Sequence, residues 1–258
     1  MLPRRHILDV WEFTREPEQL LPMAAGTLAI DAIKYLNTDT KRDHLVEVLE
    51  LNDFICYMYP SIRPFNRSLL FHVISDLLGL LLYGIPKKRK NSIERLEIID
   101  YTSRNVSYPV LQVWKLLKGR IGARRFSPER ILEGFVNKIR IEVDILRHYP
   151  FIEEVFVDSR SLLETWLPSL ADFYRLDSRE ISKTYAKWYE GWICHGEEER
   201  MVDEMVRRLS NQADRDFGIT IDANYIKTSI LSDEETNRKH NQAFSMWYKE
   251  GVNLLFAI

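Results

Sequence analysis

The sequence predicts an all-α protein, and three features of its 258 residues support this prediction. Gly and Pro are sparse, at ten residues each. Few stretches alternate apolar and polar residues in the way that half-buried strands do. Polar residues followed by acidic ones mark helix starts, as at Ser127-Pro128-Glu129 and Ser178-Arg179-Glu180. About a dozen helices, punctuated by short turns, are therefore expected.

Seven of the expected helices can be placed in order along the chain. They are Pro17–Leu36, Lys41–Tyr57, Arg67–Tyr83, Asn91–Arg104, Tyr108–Ile121, Ser127–Arg147 and Ser161–Tyr174. The stretch from Asp144 to Val157 is ambiguous, because Pro150 interrupts it and the spacing of Ile152, Val155 and Phe156 fits either a helix or a strand. Three acidic residues, Glu197 to Glu199, predict an exposed helix start.

One segment has the alternation expected of strands. Gly218–Ile230 carries apolar residues at the alternate positions Ile219 and Ile221, with Tyr225 further along. This pattern predicts a short hairpin or an extended loop within the otherwise helical second half of the chain.

The most apolar segment is Ser68–Ile85, which ends at Pro86. It is close to the minimum length of a membrane span, but His72 and Asp76 lie inside it and Gly79 weakens it. We therefore expect a buried central helix here rather than a membrane-spanning one.

A strongly basic segment follows directly. Residues 85–126 contain eleven Lys and Arg against three Asp and Glu, a net charge of +8 in a protein whose total charge is −2. Such a concentration favours an anionic polymer or an anionic surface as the partner. The expected contact residues are Lys87, Lys88, Arg89, Lys90, Arg95, Lys115, Lys118, Arg120, Arg124 and Arg125. Lys87–Lys90 also has the composition of a nuclear localisation signal.

Catalytic and metal-binding signatures are missing from the sequence. It contains no glycine-rich phosphate loop, nucleophile elbow, helical His-Glu zinc motif or Cys-x-x-Cys pair, so we expect neither an enzyme nor a cofactor. Cys194-His195 has no second ligand pair nearby, which predicts that no metal is bound. The two cysteines indicate a reduced compartment, and no secretory signal is visible at Met1–Arg5, so synthesis in the cytosol is expected.

Three segments resemble, in order, parts of the matrix proteins of orthomyxoviruses, with the thogotovirus-like branch the more apt comparison. Cys56–Phe65 (CYMYPSIRPF) resembles the family's helix-turn segment. The apolar helix that ends at Ile85-Pro86 before the basic run resembles the central helix and its turn. Val110–Ile121 (VLQVWKLLKGRI) resembles the basic amphipathic helix. The resemblance covers roughly residues 45–170.

This resemblance implies a structural role. A protein of the family would self-associate beneath the viral envelope, bind the anionic inner leaflet and the viral ribonucleoprotein, and take part in assembly and budding. It would occur in the virion, in the host cytoplasm and nucleus, and at the inner face of the plasma membrane, and the nuclear import machinery would be a further partner. The alternative is a helical RNA-binding nucleoprotein that uses the same basic residues.

Two domains are expected on the basis of charge and tryptophan content. Residues 1–160 would form a multi-helix, matrix-type domain centred on the basic segment. Residues 161–258, which are acidic and richer in tryptophan, would form a smaller helical domain, with the hairpin as its one departure from helix. No Ser- or Gly-rich linker marks the boundary, which we place near Asp158–Leu163.

Overall fold

The structure is a computed structural model, and it describes residues 3–14, 17–36, 72, 75, 128–174, 177–190, 192 and 197–256. These residues form helices and contain no strand, so the prediction of an all-α fold is confirmed. The helices with full bounds are α1 (Pro3–Thr14), α2 (Pro17–Leu36), α3 (Pro128–His148), α4 (Phe151–Tyr174), α5 (Ser178–Glu190), α6 (Glu198–Phe217), α7 (Ala223–Ser232) and α8 (Glu234–Phe256).

Several helix boundaries agree with the sequence patterns. Helix α2 has the predicted bounds, and α3 is displaced by one residue from the predicted range of Ser127–Arg147. Helix α5 begins at Ser178 as expected, but its cap lies one residue earlier, because the Asp177 carboxylate accepts the Arg179 backbone N–H at 2.8 Å. Helix α6 begins within the acidic run that predicted it.

The ambiguous stretch around Pro150 is helical on both sides. Helix α4 begins at Phe151, directly after Pro150. Proline has no backbone N–H, and it is tolerated at a helix start because the first N–H groups have no partner within the helix. It continues through the predicted helix Ser161–Tyr174 because a buried stripe runs along it at helical spacing. The stripe consists of Ile152, Phe156, Ser159, Leu163 and Leu167.

The prediction of a hairpin at Gly218–Ile230 is wrong. Gly218 adopts a left-handed conformation (φ 64°) and closes α6, with its N–H donated to the Asp214 carbonyl at 2.8 Å. After a short irregular segment, the Asp222 carboxylate caps α7 by accepting the Tyr225 N–H at 3.0 Å. Ile226 and Ile230 are both buried, and their separation of four residues is that of one helix face. This spacing is present in the same segment as the alternating residues that predicted a strand.

Three expected helices, Lys41–Tyr57, Asn91–Arg104 and Tyr108–Ile121, lie outside the described residues. Of the expected helix Arg67–Tyr83, only His72 and Ser75 are described, and both are helical and buried. This observation agrees with a buried helix at that point of the chain.

The chain divides into two compact units that are interleaved along the sequence. The first unit takes residues 3–73 and 150–193, and its described helices are α1, α2, α4 and α5. The second unit takes residues 74–149 and 194–258, together with residues 1–2, and its described helices are α3, α6, α7 and α8. The expected limits 1–160 and 161–258 follow chain order instead, and the expected boundary falls inside the continuous helix α4.

In the first unit, α1 packs against α2 and α4, and α2 also packs against α5. Residues Pro3–Val10 of α1 are all buried, so this helix is enclosed on every side although half of its buried residues are polar or charged. Full burial of an aliphatic or aromatic side chain contributes about 1.5–3 kcal/mol. The apolar core includes Ile7, Leu8, Met23, Leu28, Phe156, Ile181, Tyr185 and Tyr189.

In the second unit, α3 is the common element, since α6, α7 and α8 all pack against it. Seven consecutive residues of α3, from Ile139 to Ile145, are buried. The surrounding core includes Met201, Val202, Met205, Val206, Ile226, Ile230, Phe244 and Tyr248. As in the first unit, a helix enclosed by its neighbours carries charged residues inside the unit.

Candidate functional site

The ten basic residues predicted to contact an anionic partner all lie outside the described residues. Their geometry therefore stays a prediction from the sequence. The polar clusters that the structure does describe lie within the two units, one on α3 and one on α1.

The cluster of the second unit is a line of four residues on one side of α3, here called the α3 polar face. Arg140, Asp144, Arg147 and His148 are spaced at i, i+4, i+7 and i+8, which places them on one face of a helix. Three of them, Arg140, Arg147 and His148, contact the segment 229–237 in which α7 passes into α8, here called the Asp233 corner. Asp144 contacts Asn241 further along α8.

Arg140 contacts both sides of the corner. Its Nη2 donates to Ser229 Oγ of α7 at 2.8 Å, and its Nη1 donates to Asn237 Oδ1 of α8 at 2.9 Å. Asp233 lies between them, with its carboxylate 3.7 Å from Nη1. Because the Arg140 side chain is only 10% exposed, these partners replace most of the water that a guanidinium requires.

Asp144 and His148 extend the polar face along α8. The buried Asp144 carboxylate accepts the Asn241 Nδ2–H at 2.8 Å and lies 3.1 Å from His148 Nδ1. The other ring nitrogen of His148 lies 3.3 Å from the Glu234 carboxylate. His148 Nδ1 also lies 3.1 Å from the Asp144 backbone carbonyl oxygen, so the ring stands between the carboxylates of Asp144 and Glu234.

Arg147 connects three helices. Its guanidinium forms a paired contact with the Glu198 carboxylate at the start of α6, with Nε to Oε2 at 2.7 Å, and its Nη2 donates to the Leu231 carbonyl at 2.9 Å. The hydrogen bond with Glu198 raises the pKa of Arg147 above its usual value, so the cation is retained. A cation at the C-terminal end of α7 also matches the helix dipole.

The corner itself is capped by Asp233. Its Oδ1 accepts the Thr236 N–H at 3.1 Å, and this hydrogen bonding lowers the pKa of Asp233. His240, one turn further along α8, has its pKa lowered by burial first and by the nearby Arg140 cation second. The folded protein therefore favours a neutral imidazole at this position.

The first unit contains its cluster on α1. Arg4 makes a bidentate ion pair with Glu153 of α4, with Nε–Oε2 at 2.7 Å and Nη2–Oε1 at 3.0 Å. Its Nη2 also donates to the Trp192 carbonyl at 3.3 Å, and the guanidinium lies 5.7 Å from the centre of the Phe156 ring. Arg4 thus connects α1 with α4 and with the chain beyond α5.

Arg5 is paired within its own helix. It forms an ion pair with Asp9 four residues later, with Nε–Oδ1 at 2.7 Å, and both side chains are buried. The Glu12 carboxylate lies 3.3 Å from the same guanidinium. Two acidic groups therefore surround one buried arginine, within two turns of one helix.

Two histidines, His6 and His72, are stacked in the same unit. Their ring centres are 4.2 Å apart, their planes are inclined by 24°, and both residues are fully buried. His72 Nδ1 lies 2.9 Å from the Thr27 carbonyl oxygen. Since a carbonyl only accepts, His72 carries a proton on Nδ1.

Neither cluster contains the elements of a metal site. Among the residues that the structure describes, no group of three or more His, Cys, Asp and Glu side chains is placed to hold a metal ion. Cys194 and His195, the pair considered in the sequence, lie outside that part of the chain. No helix within the described ranges is both long enough and apolar enough to cross a membrane.

Comparisons of the chain with known protein families, with curated proteins and with solved structures found no match. The function must therefore be argued from this chain's own residues and from the resemblance noted above.

Neither cluster is among the sites predicted from the sequence. The signal for the α3 polar face was present, because Arg140, Asp144 and His148 recur every four residues along one helix. The signal for α1 was weaker. Arg4 and Arg5 precede a single short apolar pattern, and nothing in that pattern indicates that the charges would be enclosed.

Proposed function

We propose that this chain is a structural protein of the viral matrix type, which self-assembles beneath an envelope and binds anionic membrane and ribonucleoprotein through its basic segment. In this role it carries out no catalysis and requires no cofactor. It acts in virion assembly and budding, and in the infected cell it occurs in the cytoplasm, in the nucleus and at the inner face of the plasma membrane.

The observation that carries this proposal is the separation of charge along the chain. Residues 85–126 carry +8, so the remaining residues together carry −10. An array on an anionic leaflet needs cationic groups facing the lipid and acidic groups on the surfaces that meet other proteins. The order of the three segments that resemble orthomyxovirus matrix proteins supports the same role.

The expected strength of membrane binding follows from the number of basic residues. Each Lys or Arg near an anionic leaflet contributes about 1 kcal/mol at physiological salt. Lys87–Lys90 alone should then contribute about 4 kcal/mol, which is roughly a thousandfold in affinity. The attraction should weaken steeply as salt is added, because the Debye length shortens.

Co-sedimentation with phosphatidylserine vesicles over a salt series tests the proposal. The full chain should bind at low salt, and the variant with Lys87, Lys88, Arg89 and Lys90 all replaced by Ala should lose most of this binding. The matched control replaces Arg200, Arg207, Lys239 and Lys249 by Ala, because these exposed residues of the second unit give the same change in net charge. Equal loss of binding in both variants would contradict a localised contact surface.

The alternative function is that of a helical RNA-binding nucleoprotein. It shares the basic segment, but stacking of bases requires aromatic side chains among the charges, and between Lys87 and Arg125 these are only Tyr101, Tyr108 and Trp114. An RNA gel shift beside the vesicle assay separates the two functions. Tight RNA binding without vesicle binding would favour the nucleoprotein and reject the matrix role.

Nuclear entry is a separate part of the proposal. Lys87–Lys90 has the composition that the import machinery recognises. A fluorescent fusion of the full chain should accumulate in the nucleus, and the same fusion with these four residues replaced by Ala should not. Unchanged accumulation would remove nuclear import from the proposed role and would leave the membrane assay unaffected.

A further inference from the structure

A single residue, Asp233, separates α7 from α8. Helix α7 ends at Ser232 and α8 begins at Glu234, and Asp233 has φ −111° and ψ 70°, outside the helical region. The sequence contains neither Pro nor Gly from Ala223 to Glu250. Since no residue in this range forbids a continuous helix, the bend must be stabilised by its contacts.

Side chains supply the hydrogen bonds that the bend removes from the backbone. In a continuous helix the carbonyls of Ile230 and Leu231 would accept from backbone N–H groups four residues later. In the bent form the Ile230 carbonyl accepts from Asn237 Nδ2 at 2.7 Å, and the Leu231 carbonyl accepts from Arg147 Nη2 at 2.9 Å. The bend therefore leaves neither of these carbonyls without a donor.

The α3 polar face makes contacts on both sides of the bend, with α7 before it and with α8 after it. Arg140 donates to Ser229 before the bend and to Asn237 after it, so a straight helix could not keep both contacts. Arg147 reaches the end of α7, and His148 reaches the start of α8. Loss of these contacts would favour the straight form, which recovers ordinary helical hydrogen bonds.

Straightening would withdraw α7 from its own unit. Helix α7 packs against α3 and α6 and buries Ile226 and Ile230, which would be exposed in the straight form. The surface that fits these side chains is the one that α7 vacates, and a second copy of the chain offers the same surface. Exchange of an identical element between copies is a low-cost route to association.

We propose that the Asp233 corner is a hinge, restrained by the α3 polar face, that opens to let two copies of the chain exchange α7. The exchange would provide one contact between copies in the self-assembly proposed above. It requires neither lipid nor RNA, so its failure would leave the vesicle and RNA assays untouched, and their failure would leave the hinge untouched.

Distances between two spin labels on the full chain test the hinge. The labels are placed at Asn224→Cys and Lys249→Cys, both exposed positions, after Cys56 and Cys194 are replaced by Ser. A continuous helix separates these two Cα atoms by about 37 Å, and any bend brings them closer. Dilution with unlabelled protein restricts the measured distances to labels on one chain.

Two variants are expected to open the hinge. Arg140→Met/Arg147→Met removes the restraint from α3, and Asp233→Ala removes the cap while Arg140 keeps its hydrogen bonds to Ser229 and Asn237. In each, the ratio of straight to bent chains should rise at least about tenfold, because the loss of even one charged hydrogen bond corresponds to a change of that size. The control Arg200→Met/Arg207→Met makes the same charge change at exposed positions of α6 and should leave the distances unchanged.

Light scattering after size exclusion tests the exchange. The straight population should increase with protein concentration and elute at the mass of a dimer. Absence of the distance near 37 Å in both opening variants, whether or not they stay folded, would overturn the proposal. A straight population that does not depend on concentration would overturn it equally, because exchange requires a second copy.

Discussion

Helix α1 of the first unit and helix α3 of the second unit both bury charged side chains, but the partners of those charges differ. Each has a run of buried residues that includes charged ones. In α1, Arg5 is paired with carboxylates of its own helix, and Arg4 is paired with Glu153. In α3, Arg140 and Asp144 are satisfied mainly by neutral side chains of α7 and α8. The buried charges described on α1 are therefore balanced mainly by other charges, whereas Arg140 of α3 is hydrogen-bonded to neutral side chains on both sides of a neighbouring bend.

The largest effect is expected from breaking the ion pair in α1. Asp9→Ala removes a buried carboxylate that is ion-paired with the buried Arg5, and it should lower the free energy of unfolding by about 3–5 kcal/mol. Urea denaturation of the full chain measures this loss. Arg5→Met/Asp9→Leu should recover much of it, because an apolar pair of similar volume avoids burying charge. A double variant as unstable as the single one would contradict this explanation.

A smaller effect is expected in the α3 cluster. Asn237→Ala removes one of the acceptors of Arg140 and the side-chain donor to the Ile230 carbonyl, and it should lower the free energy of unfolding by about 1–3 kcal/mol. Gln242→Ala, at an exposed position of the same helix, is the control and should have little effect. If Asn237→Ala cost as much as Asp9→Ala, the contrast between neutral and ionic pairing would not hold.

The pH dependence of the free energy of unfolding tests a half-buried histidine, His240, that lies near Arg140 of the α3 polar face. The folded state lowers the pKa of His240, so below its unfolded pKa of about 6.5 the unfolded chain binds a proton that the folded chain resists. Stability should therefore decrease as the pH falls below that value. Denaturation at about pH 7.5 and about pH 5.5 should show a smaller loss in His240→Gln than in the natural chain. An equal loss in both proteins would assign the acid sensitivity to other groups.

The smallest effect is expected at an exposed ion pair. Arg207 contacts Glu204 on the surface of α6, and this contact lowers the pKa of Glu204. Because water surrounds the Arg207 side chain, Arg207→Ala should leave the denaturation midpoint unchanged within error. A clear decrease would mean that charge alone, without burial, accounts for the effects in α1 and α3.

The helical fold could be predicted because its signals are local. Apolar spacing and polar caps depend on residues within one or two turns, and they placed α2, α3 and the start of α5 within one residue. The error at Gly218–Ile230 arose where two patterns overlap, since alternating apolar residues precede a helix that is capped by Asp222. A capping aspartate three residues before Tyr225 was the signal for the helix.

The interleaved units and the polar clusters could not be predicted in the same way. Pairs such as Arg4 with Glu153 and Arg140 with Asn237 are separated by more than ninety residues, and no periodicity within one helix reveals them. The basic segment, by contrast, could be identified from the sequence alone, because its charge is evident there. Its ten expected contact residues stay a prediction, since they lie outside the described part of the chain.

The most direct test of the proposed function is electron microscopy of phosphatidylserine vesicles incubated with the full chain. A matrix-type protein should cover them with a regular array, and the chain with Lys87, Lys88, Arg89 and Lys90 replaced by Ala should leave them bare. The control with Arg200, Arg207, Lys239 and Lys249 replaced by Ala should still coat them. Bare vesicles with the natural chain, or an array that persists without Lys87–Lys90, would contradict the proposal.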